Sequence, residues 1–287
     1  MILYFYIISD KCCYLNQSII LSILLLTVFL IYRWLISIST INVKKIRIVS
    51  NGGYPCMEDK HLQMLPNLTE IDLSSNYEIT HEGIQYLKHL KMLDLSHMRL
   101  PEKRMTDDDL SKLVSLTSIN LHSNNIITDE GISNLTNLTF LNLTGTTISD
   151  KGITNLNKLE FLRLSGNNAI TNSGLSKLTR LNHLNLSFNY KITLDQSLYR
   201  IKKLTLGYNL NITDDELSKL TNLEMLDLKF DTLVTDKGIS NLTNLKELSV
   251  NKSITEQGIS NLINLKSLRL TNNVNIRNVS KDIRIIG

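Results

Sequence analysis

From residue 43 onward, short apolar runs alternate with polar turns at a nearly constant period. Ten clear copies of this pattern each begin with a leucine, and successive copies start 20 to 26 residues apart. Their first residues are Leu65, Leu87, Leu113, Leu135, Leu156, Leu178, Leu198, Leu220, Leu242 and Leu262. A weaker copy precedes them, with Val43, Ile46 and Ile48 at matching positions. Repetition with this period predicts a solenoid in which coils stack to bury one continuous core.

Each copy predicts a strand, a turn and a short helical segment. Leu162 and Leu164 are two residues apart, as expected for a strand that buries one face. Asn167 follows, where its amide can turn the chain and bond unpaired backbone groups. Thr128 and Asp129 begin the second half of their copy with residues that favour a helix N-terminus. We therefore expect an α/β repeat with a parallel sheet on one face and helical or 3-10 segments on the other.

Two further residue types recur at fixed positions in the copies. Asparagine follows the strand at Asn51, Asn76, Asn124, Asn167, Asn189, Asn209 and Asn273, which predicts a ladder of amides. The exceptions are Met98, Thr146, Asp231 and Ser253, and we expect the second coil to be irregular because methionine lacks the amide. Glycine recurs in the helical half, at Gly83, Gly131, Gly152, Gly174, Gly238 and Gly258, which indicates close backbone packing or unusual dihedral angles.

The region from about residue 43 to residue 276 resembles leucine-rich-repeat proteins. Its I-T-D-x-G-I phrase is similar to the repeats of F-box-type ubiquitin-ligase receptors and related microbial proteins. Its commonest period of 22 residues and its N-L-T-N-L phrase are similar to internalin-type adhesins. The resemblance leaves the subfamily open. It implies a horseshoe with a parallel sheet on the concave face, short helical or 3-10 segments on the convex face, and protein recognition on the concave face.

The N-terminal region has a different composition. Nineteen residues from Tyr14 to Tyr32 carry no charge. At ~1.5 Å per residue, such a helix nearly crosses a ~30 Å hydrocarbon core. We predict a hydrophobic transmembrane helix over residues 14–36, and the excess of basic residues after it predicts a single-pass protein with cytoplasmic repeats. A cleaved signal peptide, which would make the protein secreted, and a buried capping helix remain alternatives.

The predicted organisation therefore has four parts. Residues 1–40 form the segment with the membrane helix, and residues 41–64 form a capping coil. Residues 65–276 hold about ten repeats, and residues 277–287 form a C-terminal cap or tail.

Composition offers few candidates for chemistry. The 31 basic and 27 acidic residues are scattered, so no basic stripe for nucleic acid is visible. Three cysteines give no disulfide framework, and no P-loop, G-x-S-x-G or C-x-x-C motif occurs. We predict a non-enzymatic protein with no catalytic residues, metal site, cofactor, small-molecule substrate or nucleic-acid partner.

Three other features favour ordinary interpretations. His122 and His183 both fall on the predicted sheet face, but three strand steps separate them by ~14 Å, too far for one metal. The acidic run Asp107 to Asp109 fits a helix start, where negative charge is stabilising. Ten glycosylation sequons occur, but the repeat phrase N-L-T generates most of them.

The predicted sheet face offers a candidate site for an unknown protein ligand. Phe140 and Phe161 fall on adjacent coils with Arg163 beside them, and aromatic and arginine side chains often dominate binding energy. The neighbouring residues on this face are Asn142, Asn185 and His183. The rival site is an insertion in the second coil, Arg99 to Asp109, where the period grows to 26.

Three functions remain open. The first is a membrane-anchored protein-interaction module. The second is a substrate receptor of a ubiquitin ligase, because Tyr32 to Leu35 faintly resembles the end of an F-box. The third is a secreted or surface adhesin.

Overall fold

The computed structural model describes residues 44–48, 58–76, 79–98, 105–230, 232–270, 273 and 275–286. Twelve strands form one parallel sheet, and each strand pairs with its neighbours in chain order. The strands are β1 Lys45–Arg47, β2 Glu70–Asp72, β3 Met92–Asp94, β4 Ser118–Asn120, β5 Phe140–Asn142, β6 Phe161–Arg163, β7 His183–Asn185, β8 Lys203–Thr205, β9 Met225–Asp227, β10 Glu247–Val250, β11 Ser267–Leu270 and β12 Arg284–Ile286.

Short helices connect most of these strands. They are α1 Asp59–Leu62, α2 His81–Ile84, α3 Asp107–Ser111, α4 Asp129–Ile132, α5 Asp150–Ile153, α6 Asn172–Ser176, a 3-10 helix Gln196–Leu198, α7 Asp214–Leu217, α8 Asp236–Ile239 and α9 Glu256–Ile259. The predicted α/β solenoid, with a parallel sheet and short helical or 3-10 segments, is confirmed. The curvature of a horseshoe stays a prediction.

The structure describes the two flanking segments of the chain only in part. The hydrophobic helix over residues 14–36 lies outside the described residues. Within the described ranges, every helix is too short to cross a bilayer. The sheet itself continues into both flanking segments, because β1 pairs with β2 and β12 pairs with β11.

The core is a column of leucines and isoleucines that repeats in every coil. Leu162 and Leu164 are fully buried, as their spacing predicted. Successive strands pack against each other, as do successive helices. Stability therefore depends on a sum of contacts between neighbouring coils.

A buried amide ladder connects the coils at the end of the sheet. Asn189 shows the pattern: its side-chain oxygen accepts from the N–H groups of Lys191 and Ile192. Its amide nitrogen donates to the carbonyl of Asn167 in the preceding coil. The predicted members within the described residues are buried, namely Asn76, Asn124, Asn167, Asn189, Asn209 and Asn273.

The ladder differs from the prediction at two exceptions. Thr146 is buried and its hydroxyl accepts from Asn167, so it joins the ladder instead of breaking it. Ser253 is exposed, and the buried residue of its coil is Asn251, which bonds Ser253 and Thr232. This coil has a shorter turn after its strand, so its asparagine lies two residues earlier. The irregularity expected beyond Met98 falls on residues outside the described ranges.

A second ladder connects the coils on the helical side. The carboxylate of Asp150 accepts two hydrogen bonds from Thr171 of the next coil, 2.8 Å from the backbone nitrogen and 2.6 Å from the hydroxyl. The same pair of hydrogen bonds is found in six coil pairs of the described chain, namely Asp59–Thr80, Asp107–Thr128, Asp129–Ser149, Asp150–Thr171, Asp214–Thr235 and Asp236–Thr255. Each hydroxyl belongs to the residue that precedes the next helix.

These carboxylates explain the recurring glycine of the helical half. A Cβ at Gly174 would clash with the carboxylate of Asp150, and each equivalent glycine meets the aspartate of the preceding coil. Of the two interpretations predicted for these glycines, close packing is the correct one. Positive φ angles among the described glycines occur instead at Gly145 and Gly166.

The residue just before the ladder position has a left-handed backbone in most coils. Gly145 and Gly166 take this position with φ angles of 65° and 66°. The other coils place residues with side chains there, namely Ser75, His97, Ser123, Phe188, Tyr208 and Phe230. We call this row the left-handed row.

Candidate functional site

The exposed face of the sheet carries two columns of side chains, which strand pairing holds in register. Phe140 is in register with Phe161, and Phe161 with His183. The second column places Asn142 beside Arg163, and Arg163 beside Asn185. The six candidate residues therefore lie on three adjacent strands.

Three rings of the first column lie in a row along the solenoid, with Phe140 and Phe161 stacked and His183 tilted against Phe161. The centroids of Phe140 and Phe161 are 4.8 Å apart with an interplanar angle of 30°. The ring of His183 continues the row, 3.8 Å from Phe161. Such spacing follows from the parallel strands, which are themselves about 4.8 Å apart. We call Phe140, Phe161, His183 and Arg163 the sheet-face patch.

Arg163 covers this row of rings. Its guanidinium carbon lies 5.2 Å from the Phe161 centroid and 5.9 Å from that of Phe140. These distances are within the range of a cation–π interaction. The arginine is exposed, whereas the phenylalanine rings are half-buried. The patch thus presents an apolar surface, made by the rings, and a positively charged hydrogen-bond donor to a ligand.

His183 is neutral near pH 7. Burial, together with the positive charges of Lys203 and Arg163, lowers the pKa of its imidazole to about 4. Burial also lowers the pKa of His122, with a contribution from His97. The rings of His97 and His122 are 4.6 Å apart, a contact that sequence reasoning missed because His97 belongs to the left-handed row.

The side-chain oxygens of Asn142 and Asn185 accept hydrogen bonds from the residues that follow their strands. The side-chain oxygen of Asn142 accepts from the N–H and hydroxyl of Thr144. That of Asn185 accepts from the N–H of Ser187. Asn142 is also only 6% exposed. Both oxygens accept from the backbone N–H two residues later, and the oxygen of Asn142 accepts a second bond from a hydroxyl, which leaves it less able than that of Asn185 to accept from a ligand.

The predicted alternatives to binding chemistry are resolved as follows. Asp107 begins α3, and Asp109 forms a capping box with Thr106. The acidic run is therefore a helix start, as predicted. Among the residues that the structure describes, no three metal-ligating side chains come together.

The rival site in the second coil adjoins a groove on the helical side. The groove has a volume of about 350 Å³ and lies between α2 and α3. Its lining includes His81, Ile84, Lys88, Met105 and Asp109. Residues 99–104 of the insertion lie outside the described ranges.

These features define a repeat solenoid whose parallel sheet has one exposed face that carries columns of side chains. Four of its coils match the leucine-rich-repeat family. The family model described as "Leucine Rich repeat" matches residues 65–88, 112–135, 134–156 and 155–179. No curated protein sequence gives a significant match.

Solved structures share the fold. An internalin (InlF) from Listeria monocytogenes is 22% identical, with 85% of this chain and 86% of that chain covered and a TM-score of 0.55. The mouse RP105/MD-1 complex contains a chain that is 22% identical, with a TM-score of 0.58 over 81% of this chain and 43% of that one. The TLR13–ssRNA13 complex contains a chain that is 23% identical, with a TM-score of 0.54 over 79% and 37%.

Proposed function

We propose that this protein is a non-enzymatic binding module that recognises a partner protein through the sheet-face patch. The observation that carries this proposal is the row of Phe140, Phe161 and His183 rings, with the exposed Arg163 over the two phenylalanines. Rings and arginines of this kind are the side chains that most often anchor protein interfaces. Paired strands hold them, so little conformational entropy is lost on binding.

A protein is favoured over a nucleic acid as the partner. The two columns carry charges of both signs. At one end of the sheet, for example, Glu70 pairs with Lys45 and Asp72 pairs with Arg47. Nucleic-acid binding requires several cations that neutralise phosphates together. Among the similar structures, one chain is in complex with single-stranded RNA and another with MD-1. The fold accommodates either ligand, and the mixed charge of this face supports the protein.

The proposal includes membrane attachment with cytoplasmic repeats. Its support is the uncharged run from Tyr14 to Tyr32 and the basic residues that follow. The full chain should sediment with membranes and resist alkaline extraction, whereas deletion of residues 1–40 should release it. A mobility shift on endoglycosidase treatment would place the repeats outside the cytoplasm and favour the adhesin.

The binding proposal is tested after the partner has been found by proximity labelling in cells. Replacing Phe140 and Phe161 with serine should weaken binding roughly thirtyfold or more, equivalent to about 2 kcal/mol. Met92→Ser is the matched control, because Met92 belongs to the same column but lies two strands from Phe140. This control should bind like the unaltered chain.

A further variant tests the rival site. It shortens the second coil from 26 residues to the common 22. Loss of binding in this variant alone would move the site to the insertion. Unchanged affinity of the folded Phe140→Ser, Phe161→Ser double variant would remove the sheet-face patch. A partner that proves to be a ubiquitin-ligase adaptor would favour the receptor function instead.

A further inference from the structure

Three aromatic rings stack along the edge of the sheet where β7, β8 and β9 end. The centroids of Phe188 and Tyr208 are 4.7 Å apart, and those of Tyr208 and Phe230 are 4.6 Å apart with an interplanar angle of 9°. The three side chains are 45%, 37% and 50% exposed. We call these three residues the edge stack. Its rings contact one another and are about half exposed, and they lie outside the leucine core.

The backbone beneath the edge stack is strained. Phe188, Tyr208 and Phe230 have φ angles of 53°, 55° and 68°. This left-handed region is unfavourable for any residue with a Cβ and is most unusual for a bulky one. Gly145 and Gly166 take the same position in two earlier coils without that penalty. The coil therefore does not need an aromatic ring at this position, and backbone strain of this kind is concentrated at binding sites.

Exposed apolar side chains are concentrated in the coils that carry the edge stack. Tyr190, Leu210 and Leu233 follow the three rings in the same coils and are 50%, 53% and 53% exposed. Six of the twelve exposed large hydrophobic residues of the described chain thus fall in three successive coils. Apolar groups gathered in this way on the surface of a protein mark an interaction site.

The edge stack ends at an open space. The coil before Phe188 has Gly166 in the left-handed row, and a Cβ built there meets no atom within 4 Å. Tyr208 covers the opposite side of the Phe188 ring. A fourth ring would extend the stack over Gly166, and the chain itself leaves that place open.

The chemistry around the edge stack favours a peptide as the occupant. The basic residues nearest to the three rings along the chain are Lys191 and Lys229, and Lys229 pairs with Asp227 at 3.3 Å. A phosphate backbone requires more cations than this. Leu210 and Leu233 give no stacking surface for a base or a sugar, but they suit apolar side chains.

We propose that the edge stack is a second binding site, in which a partner protein places an aromatic side chain over Gly166 against Phe188 and packs an apolar segment along Tyr190 and Leu210. The site is separate from the sheet-face patch and does not depend on its function.

The test uses a displayed library of random dodecapeptides, selected on the full chain in detergent. Enriched peptides should contain an aromatic residue. Replacing that residue with alanine, or Phe188 with glycine, should each weaken binding on the order of tenfold or more. The two changes together should weaken binding no further, because both remove the same contact.

Two variants separate binding from folding. Phe188→Gly relieves the strained backbone, so its thermal unfolding midpoint should equal or exceed that of the unaltered chain. Gly166→Phe fills the open space from within and should abolish peptide binding, as Phe188 already shows that a coil accepts a ring there. Replacing Phe140 and Phe161 with serine should leave peptide binding unchanged, which separates this site from the sheet-face patch.

The proposal is overturned by any of three results. Selection could yield no peptide whose affinity depends on Phe188, or peptides without an aromatic residue. Alternatively, a single-stranded oligonucleotide or an anionic lipid vesicle, tested alongside, could bind the unaltered chain and lose binding in Phe188→Gly while the peptides do not. A lowered unfolding midpoint of Phe188→Gly would show that the rings are retained for stability.

Discussion

The sheet-face patch and the edge stack arrange aromatic rings with the same spacing on different backbones. Phe140 and Phe161 are 4.8 Å apart on extended strands, and Phe188 and Tyr208 are 4.7 Å apart on left-handed turns. Ring spacing is imposed by the repeat, since any two equivalent positions in adjacent coils are about 4.8 Å apart. Ring spacing alone therefore does not distinguish the two sites, whereas the backbone conformation does.

The difference concerns what each row contributes to stability. An aromatic residue on a strand is favourable in itself, because β-strands accommodate large rings. An aromatic residue at a positive φ is unfavourable by roughly 1–2 kcal/mol, and its stacking returns only about 0.5–1.5 kcal/mol. The rings of the sheet-face row therefore stabilise the fold, whereas the net contribution of the edge stack to folding stability is close to zero at best.

The largest expected effect comes from removing the support beneath the edge stack. Asn189→Ala deletes the buried amide that bonds Lys191, Ile192 and Asn167. Unsatisfied buried backbone groups should lower the free energy of unfolding by about 2–4 kcal/mol, measured by urea denaturation. Asn185→Ala, which loses one bond on the exposed face, should cost about 1 kcal/mol. Equal losses would mean that the buried ladder is not what supports the strained turn.

Paired alanine and glycine substitutions test the backbone difference directly. At position 161 we expect alanine to be more stable than glycine by about 0.5–1 kcal/mol, because a strand restricts glycine at an entropic cost. At position 188 the order should reverse, with glycine more stable than alanine by about 1 kcal/mol. Gly166→Ala should be destabilising by a similar amount, since its added Cβ meets no neighbour and only the φ angle opposes it. The same order at both positions would contradict the distinction.

A pH titration should affect the sheet-face patch and leave the edge stack unchanged. His183 has a folded pKa of about 4, against an ordinary value of 6.5. Between these two pH values the unfolded chain binds more protons than the folded chain. The contribution of His183 to the free energy of unfolding is therefore fully present above pH 6.5 and is lost as the pH is lowered toward 4. After allowance for partial exposure, the loss is about 1 kcal/mol. His183→Gln should flatten this slope, and Tyr208→Gly should preserve it; an unaltered slope in His183→Gln would assign the titration elsewhere.

The smallest effect concerns the guanidinium above the sheet-face rings. Arg163→Met keeps the length of the side chain and removes its charge. We expect a coupling energy with Phe161→Ala of roughly 0.5 kcal/mol in a double-mutant cycle. A coupling of zero would show that Arg163 lies above the ring without stabilising it, and would leave its charge free for a ligand.

Much of the fold could be predicted from the sequence, because one pattern recurs in every coil. The spacing of Leu162 and Leu164 fixed which residues face outward, so the column from Phe140 to His183 was placed correctly. The same reasoning failed where a coil changes length. Asn251 was not predicted as a ladder residue because the turn after its strand is shorter than in the neighbouring coils. The spacing in those coils points to Ser253 instead.

The edge stack escaped prediction because residue type alone does not reveal a backbone angle. The left-handed row contains serine, histidine, glycine, phenylalanine and tyrosine. Gly145 and Gly166, each just before the ladder position, were the available signal for a positive φ. Similarly, Thr128 and Asp129 were assigned as helix caps, but their bonds to adjacent coils depend on stacking distances that one copy of the repeat does not contain.

The ladder on the helical side has a direction. Asp150 accepts bonds from Thr171, a residue of the following coil, and the other five pairs of the described chain run the same way. On the ribosome the earlier coil emerges first, so each carboxylate is already in place when the threonine or serine that needs it leaves the exit tunnel. Each new coil at the C-terminal end therefore docks on a coil that already presents its acceptor. A chain truncated at its C-terminal end loses only the partner of its last aspartate, which water can hydrate. Removing coils from the N-terminal end instead strips the next helix of the acceptor that holds its first turn.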